Sequence, residues 1–171
     1  MLQGVKFNAP WGKALKVMTG VTVLVLILTP VIGMLTGPQG SLGWIFGMIV
    51  APLLTLIVAA FFMIRGYVLT ADALLVQRLG WNSKLALSGL ISAEADPRAM
   101  ERSIRTLANG GLFCFAGLFR NKKLGSFRAF ATDPRLAVVL RFDSRAVVIT
   151  PENPEHFVSR IRELRNLQGA G

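Results

Sequence analysis

Between Val17 and Ile64 the chain carries no Asp, Glu, Lys, Arg or His. This run of 48 residues constrains the fold more than any other feature. An α-helix rises about 1.5 Å per residue, so about 20 apolar residues cross a hydrocarbon core about 30 Å thick. The run is long enough for two crossings, and Thr36-Gly-Pro-Gln-Gly-Ser41 supplies the turn between them. Helices are expected over about residues 14–35 and 42–64. With 53% hydrophobic and 16% charged residues, the whole chain is too apolar for an ordinary soluble domain. A buried soluble hairpin would need covering, and the residues after Arg65 are too few to cover two helices that are apolar all round. The run also exceeds the apolar region of a signal peptide, and no small-x-small site precedes a polar segment, so cleavage is not expected.

Charge sets the expected orientation. Lys6, Lys13 and Lys16 precede the run, Arg65 follows it, and the intervening turn has no charge. Positive flanks stay on the cytoplasmic side, so both termini are expected in the cytoplasm and residues 66–171 should form a cytoplasmic domain after the 1–65 anchor. A lone cysteine, Cys114, agrees with a reducing compartment. Pro30 and Pro52 are expected to kink the spans rather than end them. Small residues recur every fourth position: Thr29, Gly33 and Gly37, then Gly43, Gly47 and Ala51. Such faces let backbones approach closely, within the hairpin or between two copies of the chain. Neither span holds an ionisable residue, which argues against an ion or proton path.

Fifteen of the nineteen Lys and Arg and all nine acids follow Arg65, giving that part a net charge of +6. It reads as short strands separated by turns. Strands are expected near 67–70 and 73–79, around Ala71-Asp72, and from 84 to 95 with a bend at Gly89. Asp96-Pro97 resembles a helix start, and Met100, Ile104 and Leu107 recur at helical spacing, predicting a short amphipathic helix ended by Asn109-Gly110. A hairpin follows, 112–119 and 124–132 around Arg120-Asn-Lys-Lys123, with strand parity separating Phe113, Phe115 and Phe119 from Cys114, Ala116 and Leu118. Asp133-Pro134 turns the chain, and "LAVVLRF" and "AVVIT" form a further hairpin around Asp143-Ser144. Asn153-Pro154 opens a last helix whose stripe is Phe157, Ile161 and Leu164.

In this order of elements, "GYVLTADALLVQR", "NGGLFCFAGLFRNKKLGSFRAFATD" and "VVITPENPEHFVSRIRE" resemble the bacterial pleckstrin-homology-like (PH-like) domain family. The resemblance spans about residues 66–163, and its most specific piece is Ile149-Thr150-Pro151 with Pro154 and Phe157. It implies a helical hairpin followed by a mainly-β sandwich or partly open barrel of about seven strands, capped by a C-terminal helix. It implies no enzymatic activity, and no cofactor is expected.

The residues agree with that implication. A reactive cysteine needs a lowered pKa and usually a base, and spacing brings His156, the sole histidine, nowhere near Cys114. One His and one Cys do not make a metal site, and Gly110-Gly111 lacks the pattern that follows a phosphate loop. Phe-rich strands without an RNA-binding motif argue against nucleic acid. Basic residues are the better lead: Arg120, Lys122 and Lys123 on one hairpin tip, Arg98, Arg102 and Arg105 on the expected short helix, and Arg65 at the membrane. Arg160, Arg162 and Arg165 decorate the last helix. The expected function is non-enzymatic: a PH-like domain at the cytoplasmic surface of a bacterial inner membrane, scaffolding or regulating a membrane-bound or cytoplasmic protein partner. The alternatives are anionic-lipid recognition through the basic loops and an accessory role in a transporter or envelope-enzyme complex.

Overall fold

The computed structural model describes residues 4–38, 40–110 and 112–169, with the side chains of 108–110 and 165–169 outside that description. Gly111 of the expected Gly-Gly turn and the Arg165 side chain therefore lie outside the described residues.

The uncharged run folds as two antiparallel helices, α1 (Lys13–Thr36) and α2 (Leu42–Phe61), each long and apolar enough to span a membrane. Most of their surface is exposed, unlike that of helices in a soluble core. Within α2, a π turn at Phe46–Val50 leads directly into Pro52. Widening the helix there relieves the clash between the proline ring and the carbonyl four residues earlier. Gly33 and Gly37 pack within the hairpin. A Cβ on Gly33 would meet Met48 Cβ at 2.7 Å, one on Gly37 would collide with the Trp44 indole, and Trp44 Nε1 donates to Gly33 O at 3.1 Å. Gly43 and Gly47 face open space, and Ala51 is only partly covered.

The remainder holds ten strands among the described residues, where the sequence predicts about seven. Each extra strand has a physical reason. The first, β1 (Val5–Asn8), precedes the hairpin and pairs antiparallel with β2 (Gly66–Leu69), which follows it. This four-residue segment is too short for periodicity to reveal it. The second arises because the expected 84–95 strand is two, β4 (Asn82–Ala86) and β5 (Leu90–Ala95), in different sheets. Leu90 N–H donates to Leu87 O across a turn with Gly89 at φ +75°, a type II arrangement that sends the chain from one sheet to the other. The third is β6 (Ile104–Gly110), where the short helix was expected. Residues 97–102 form successive turns, and the positive φ of Arg102 (+51°) ends any helical path before Ile104.

With β3 (Ala73–Gln77), the first sheet runs β1-β2-β3-β4. The second runs β5-β9-β10-β8-β7-β6, adding β7 (Phe115–Asn121), β8 (Gly125–Ala131), β9 (Val138–Phe142) and β10 (Ala146–Ile149). All pairings are antiparallel except β8 with β10. The sheets do not close into a barrel. The larger core lies between the sheets and under α3 (Pro154–Gly169), whose Phe157, Val158 and Ile161 are buried in it. A smaller core, with Phe119, Phe127 and Val148, lies on the other face of the second sheet, under Ala99 and Met100. The 97–103 segment thus covers the Phe119 face, although it is not a helix.

Candidate functional site

The turn between β7 and β8 is shaped by Asn121. Its Oδ1 accepts from Lys123 N at 3.1 Å and Leu124 N at 2.7 Å, while Nδ2 donates to Ala99 O at 2.8 Å and Ser103 Oγ at 3.0 Å. One amide therefore closes the hairpin and ties it to the 97–103 turns. A second tie joins Lys123 Nζ to Asp96 Oδ2 at 2.5 Å, and Asp96 Oδ1 accepts from Arg98 N at 3.1 Å. The hydrogen bond from Lys123 holds the Asp96 carboxyl below the usual carboxylate range.

These ties bring the two basic segments to one place. Arg98, Arg102, Arg120, Lys122 and Lys123 rim a depression of about 860 Å³, with Glu101 the one acidic lining residue among those described. Arg98 and Glu101 approach at 3.9 Å, an exposed pair that is only weakly coupled. Arg102, Arg120 and Lys122 have no carboxylate within ion-pair distance among the described residues. Five of the seven sequence-predicted cations thus converge. Arg105 does not, because it pairs with Phe119 across the ladder and lies on the opposite face, in a groove with Met18 and Met100. Arg65 stands apart at the foot of α2, its backbone N–H donating to Gln77 O at 2.9 Å. Arg160 pairs with Glu163 at 2.7 Å on α3, and His156 is exposed beside the Phe7 ring.

Cys114 is fully buried, and its thiol donates to Phe62 O at 3.3 Å. Burial pushes its pKa up to about 11, although the neighbouring Arg78 charge pulls the other way, so it is a thiol at neutral pH. Arg78 stands outside the basic clusters of the sequence. It is only 8% exposed, donates from Nη1 to Phe62 O at 2.6 Å and from Nε to Ser83 Oγ at 3.2 Å, and lies over the Trp81 ring at 4.8 Å. Desolvation lowers its pKa from the ordinary arginine value. It caps the carbonyl end of α2 and fastens the hairpin to the domain.

The two motif ends of the domain meet in the core. Tyr67 OH donates to Phe130 O at 2.6 Å and accepts from Thr150 N at 3.2 Å. Thr150 Oγ1 accepts from Thr132 N at 2.8 Å, and Thr132 Oγ1 donates to Pro10 O at 2.9 Å.

The comparison with curated proteins and that with solved structures each found no match. The family described as Bacterial PH domain matches residues 65–165, which run from the foot of α2 into α3 and include every strand after the hairpin. With more than half of its length matched, two sheets and a covering C-terminal helix, the chain belongs to the bacterial PH domain family.

Proposed function

We propose that this is a non-enzymatic integral membrane protein whose PH-like domain sits at the cytoplasmic face and binds an anionic, phosphate-bearing group in the basic depression. The observation that carries the reading is the convergence of Arg98, Arg102, Arg120, Lys122 and Lys123 on one concave surface. Two α-helical spans fit the hairpin, and β1–β2 pairing puts Lys6, Lys13, Lys16 and Arg65 around one end of it. Positive flanks favour the cytoplasm for that end. Each Lys or Arg near an anionic surface gains about 1 kcal/mol. Removing the three unpaired cations should therefore weaken binding by about 3 kcal/mol, or about two orders of magnitude.

The test uses the full chain in nanodiscs of neutral phospholipid doped with anionic phospholipid. Lipid enrichment around the protein is measured by mass spectrometry, and inorganic phosphate is titrated separately into purely neutral discs. Enrichment of anionic lipid that disappears in an Arg102→Gln, Arg120→Gln, Lys122→Gln variant supports a headgroup ligand. Phosphate binding without enrichment points to a soluble phosphate compound. Neither signal, or equal signals in wild type and variant, would sink the reading.

A second reading, scaffolding of a protein partner, draws on β6. It is the edge strand of the second sheet and seven residues long, so its outer backbone groups could accept an added strand. Crosslinking from β6 positions in native membranes would test it, and an absence of any reproducible adduct would count against it.

A further inference from the structure

On β6 and β7, three large apolar side chains are exposed among the described residues: Ile104 (75%), Leu107 (76%) and Leu118 (47%). They share one face. Leu107 pairs with Leu118 and Ile104 with Arg120, and Leu118 and Arg120 lie two apart on β7. Ile104 and Leu107, three apart, would point to opposite faces in a regular strand. A β-bulge between Arg105 and Leu107 absorbs the extra residue and turns both to the same face, the one that Ala116 and Phe130 occupy farther along the sheet. The irregularity in β6 thus builds an apolar face where ordinary alternation would have divided it.

That face continues into the surface of the hairpin. Just before β7, Phe113 N donates to Thr19 Oγ1 of α1 at 3.1 Å, and the Cys114 thiol donates to Phe62 O at the end of α2. Leu112 shares a groove of about 520 Å³ with Leu54, Val58 and Phe62 of α2. From the first sheet, the β3–β4 turn reaches the same place. Gly80 packs on the Phe61 ring, Trp81 meets Phe62 edge to face at 5.8 Å, and Leu79 and Trp81 are each 45% exposed. Cations stand beside these side chains: Arg128 pairs with Leu118, Arg120 with Ile104, and Arg65 follows the foot of α2. Exposed Leu and Ile, a Trp at the helix end and flanking Arg form the chemistry of a protein surface at a lipid headgroup boundary.

We propose that the face of β6–β7 carrying Ile104, Leu107 and Leu118, with the Leu79–Trp81 turn, lies in the interfacial layer of the bilayer that the hairpin enters. The occupant is lipid, because the face is continuous with the exposed flanks of α1 and α2 and edged by arginines rather than acids. The inference rests on the reading of the hairpin as membrane-spanning. It also deepens the proposal for the basic depression. Ile104 and Arg120 line that depression as well as this face, so its mouth sits at headgroup level and its phosphate belongs to a lipid.

The test places an environment-sensitive fluorophore on single cysteines introduced by Leu107→Cys, Leu118→Cys, Leu28→Cys and Ser144→Cys, in the full chain reconstituted into vesicles of neutral and anionic phospholipid. The native Cys114 thiol is buried and stays unlabelled. Quenchers are attached to lipids at shallow or deep acyl positions, and iodide serves as the aqueous quencher. The expected result is strongest quenching of positions 107 and 118 by shallow lipid, of 28 by deep lipid, and of 144 by iodide. If 107 and 118 respond to iodide as strongly as 144 while 28 is quenched by deep lipid, the spans stand and this inference falls. If 28 is not quenched by lipid, the spanning reading fails and takes the inference with it.

Discussion

At residue scale, the Tyr67 hydroxyl joins the start of β2 to the ends of β8 and β10 in a site closed to water. Burial pushes its pKa up to about 12, so it stays a neutral donor throughout the working range. Tyr67→Phe keeps the ring but strands the Phe130 carbonyl and the Thr150 N–H, at a cost of about 1–3 kcal/mol. Denaturant unfolding of the detergent-solubilised full chain should register that loss, and an unchanged midpoint would mean the network contributes nothing net. Both partners stand in the motifs that carried the family resemblance, but their contact spans 83 positions and has no local signature. Arg78 was more legible. It follows Leu74 and Val76 at alternate positions, both fully buried, so strand parity alone points its side chain inward. Clustering along the sequence does not distinguish it, because Arg78 has no cationic neighbour nearer than Lys84.

At the scale of elements, local patterns were reliable where burial and periodicity agree, as in α1, α2, β8 to β10 and α3. They failed over 97–107. There Met100, Ile104 and Leu107 fit a helical stripe equally well on paper, but residues 104–110 found a ladder partner in β7. Asp96 spends its side chain on the Arg98 N–H and Lys123, fixing a turn rather than capping a continuing helix. β1 was invisible for the opposite reason, since its partner lies beyond both apolar helices. Its anchor is Phe7, which is buried and meets the Phe157 ring of α3 edge to face at 5.0 Å. Truncation by Phe7→Ala should cost about 3–5 kcal/mol. Limited proteolysis of the full chain in detergent should then release the segment before α1 much faster than in wild type. Equal resistance would show that β1 adds little to the sheet.

For the whole molecule, acid should loosen one side first. The Asp133 carboxyl, held by both Arg135 Nε at 3.0 Å and Nη2 at 2.7 Å, is kept below the usual carboxylate range by that pairing, as Asp96 is by Lys123. A carboxyl with a depressed folded-state pKa contributes stability that is fully present above its unfolded value, about 3.9. That contribution is lost as pH falls through the lower folded value. Hydrogen exchange should therefore show protection fading over 96–103, 121–125 and 133–136 as the pH drops below 4 or so, before the β2–β3 ladder opens. Uniform fading would contradict the assignment. The pairing of β1 with β2 also has a consequence for biogenesis. β1 is made before both helices and has no partner until β2 follows them, so the sheet cannot close before then. If the hairpin spans the membrane as proposed, insertion of only one helix would strand Phe7 and Tyr67, which pair in the register, on opposite sides of the bilayer. On that reading, formation of their register would report that both helices have been inserted.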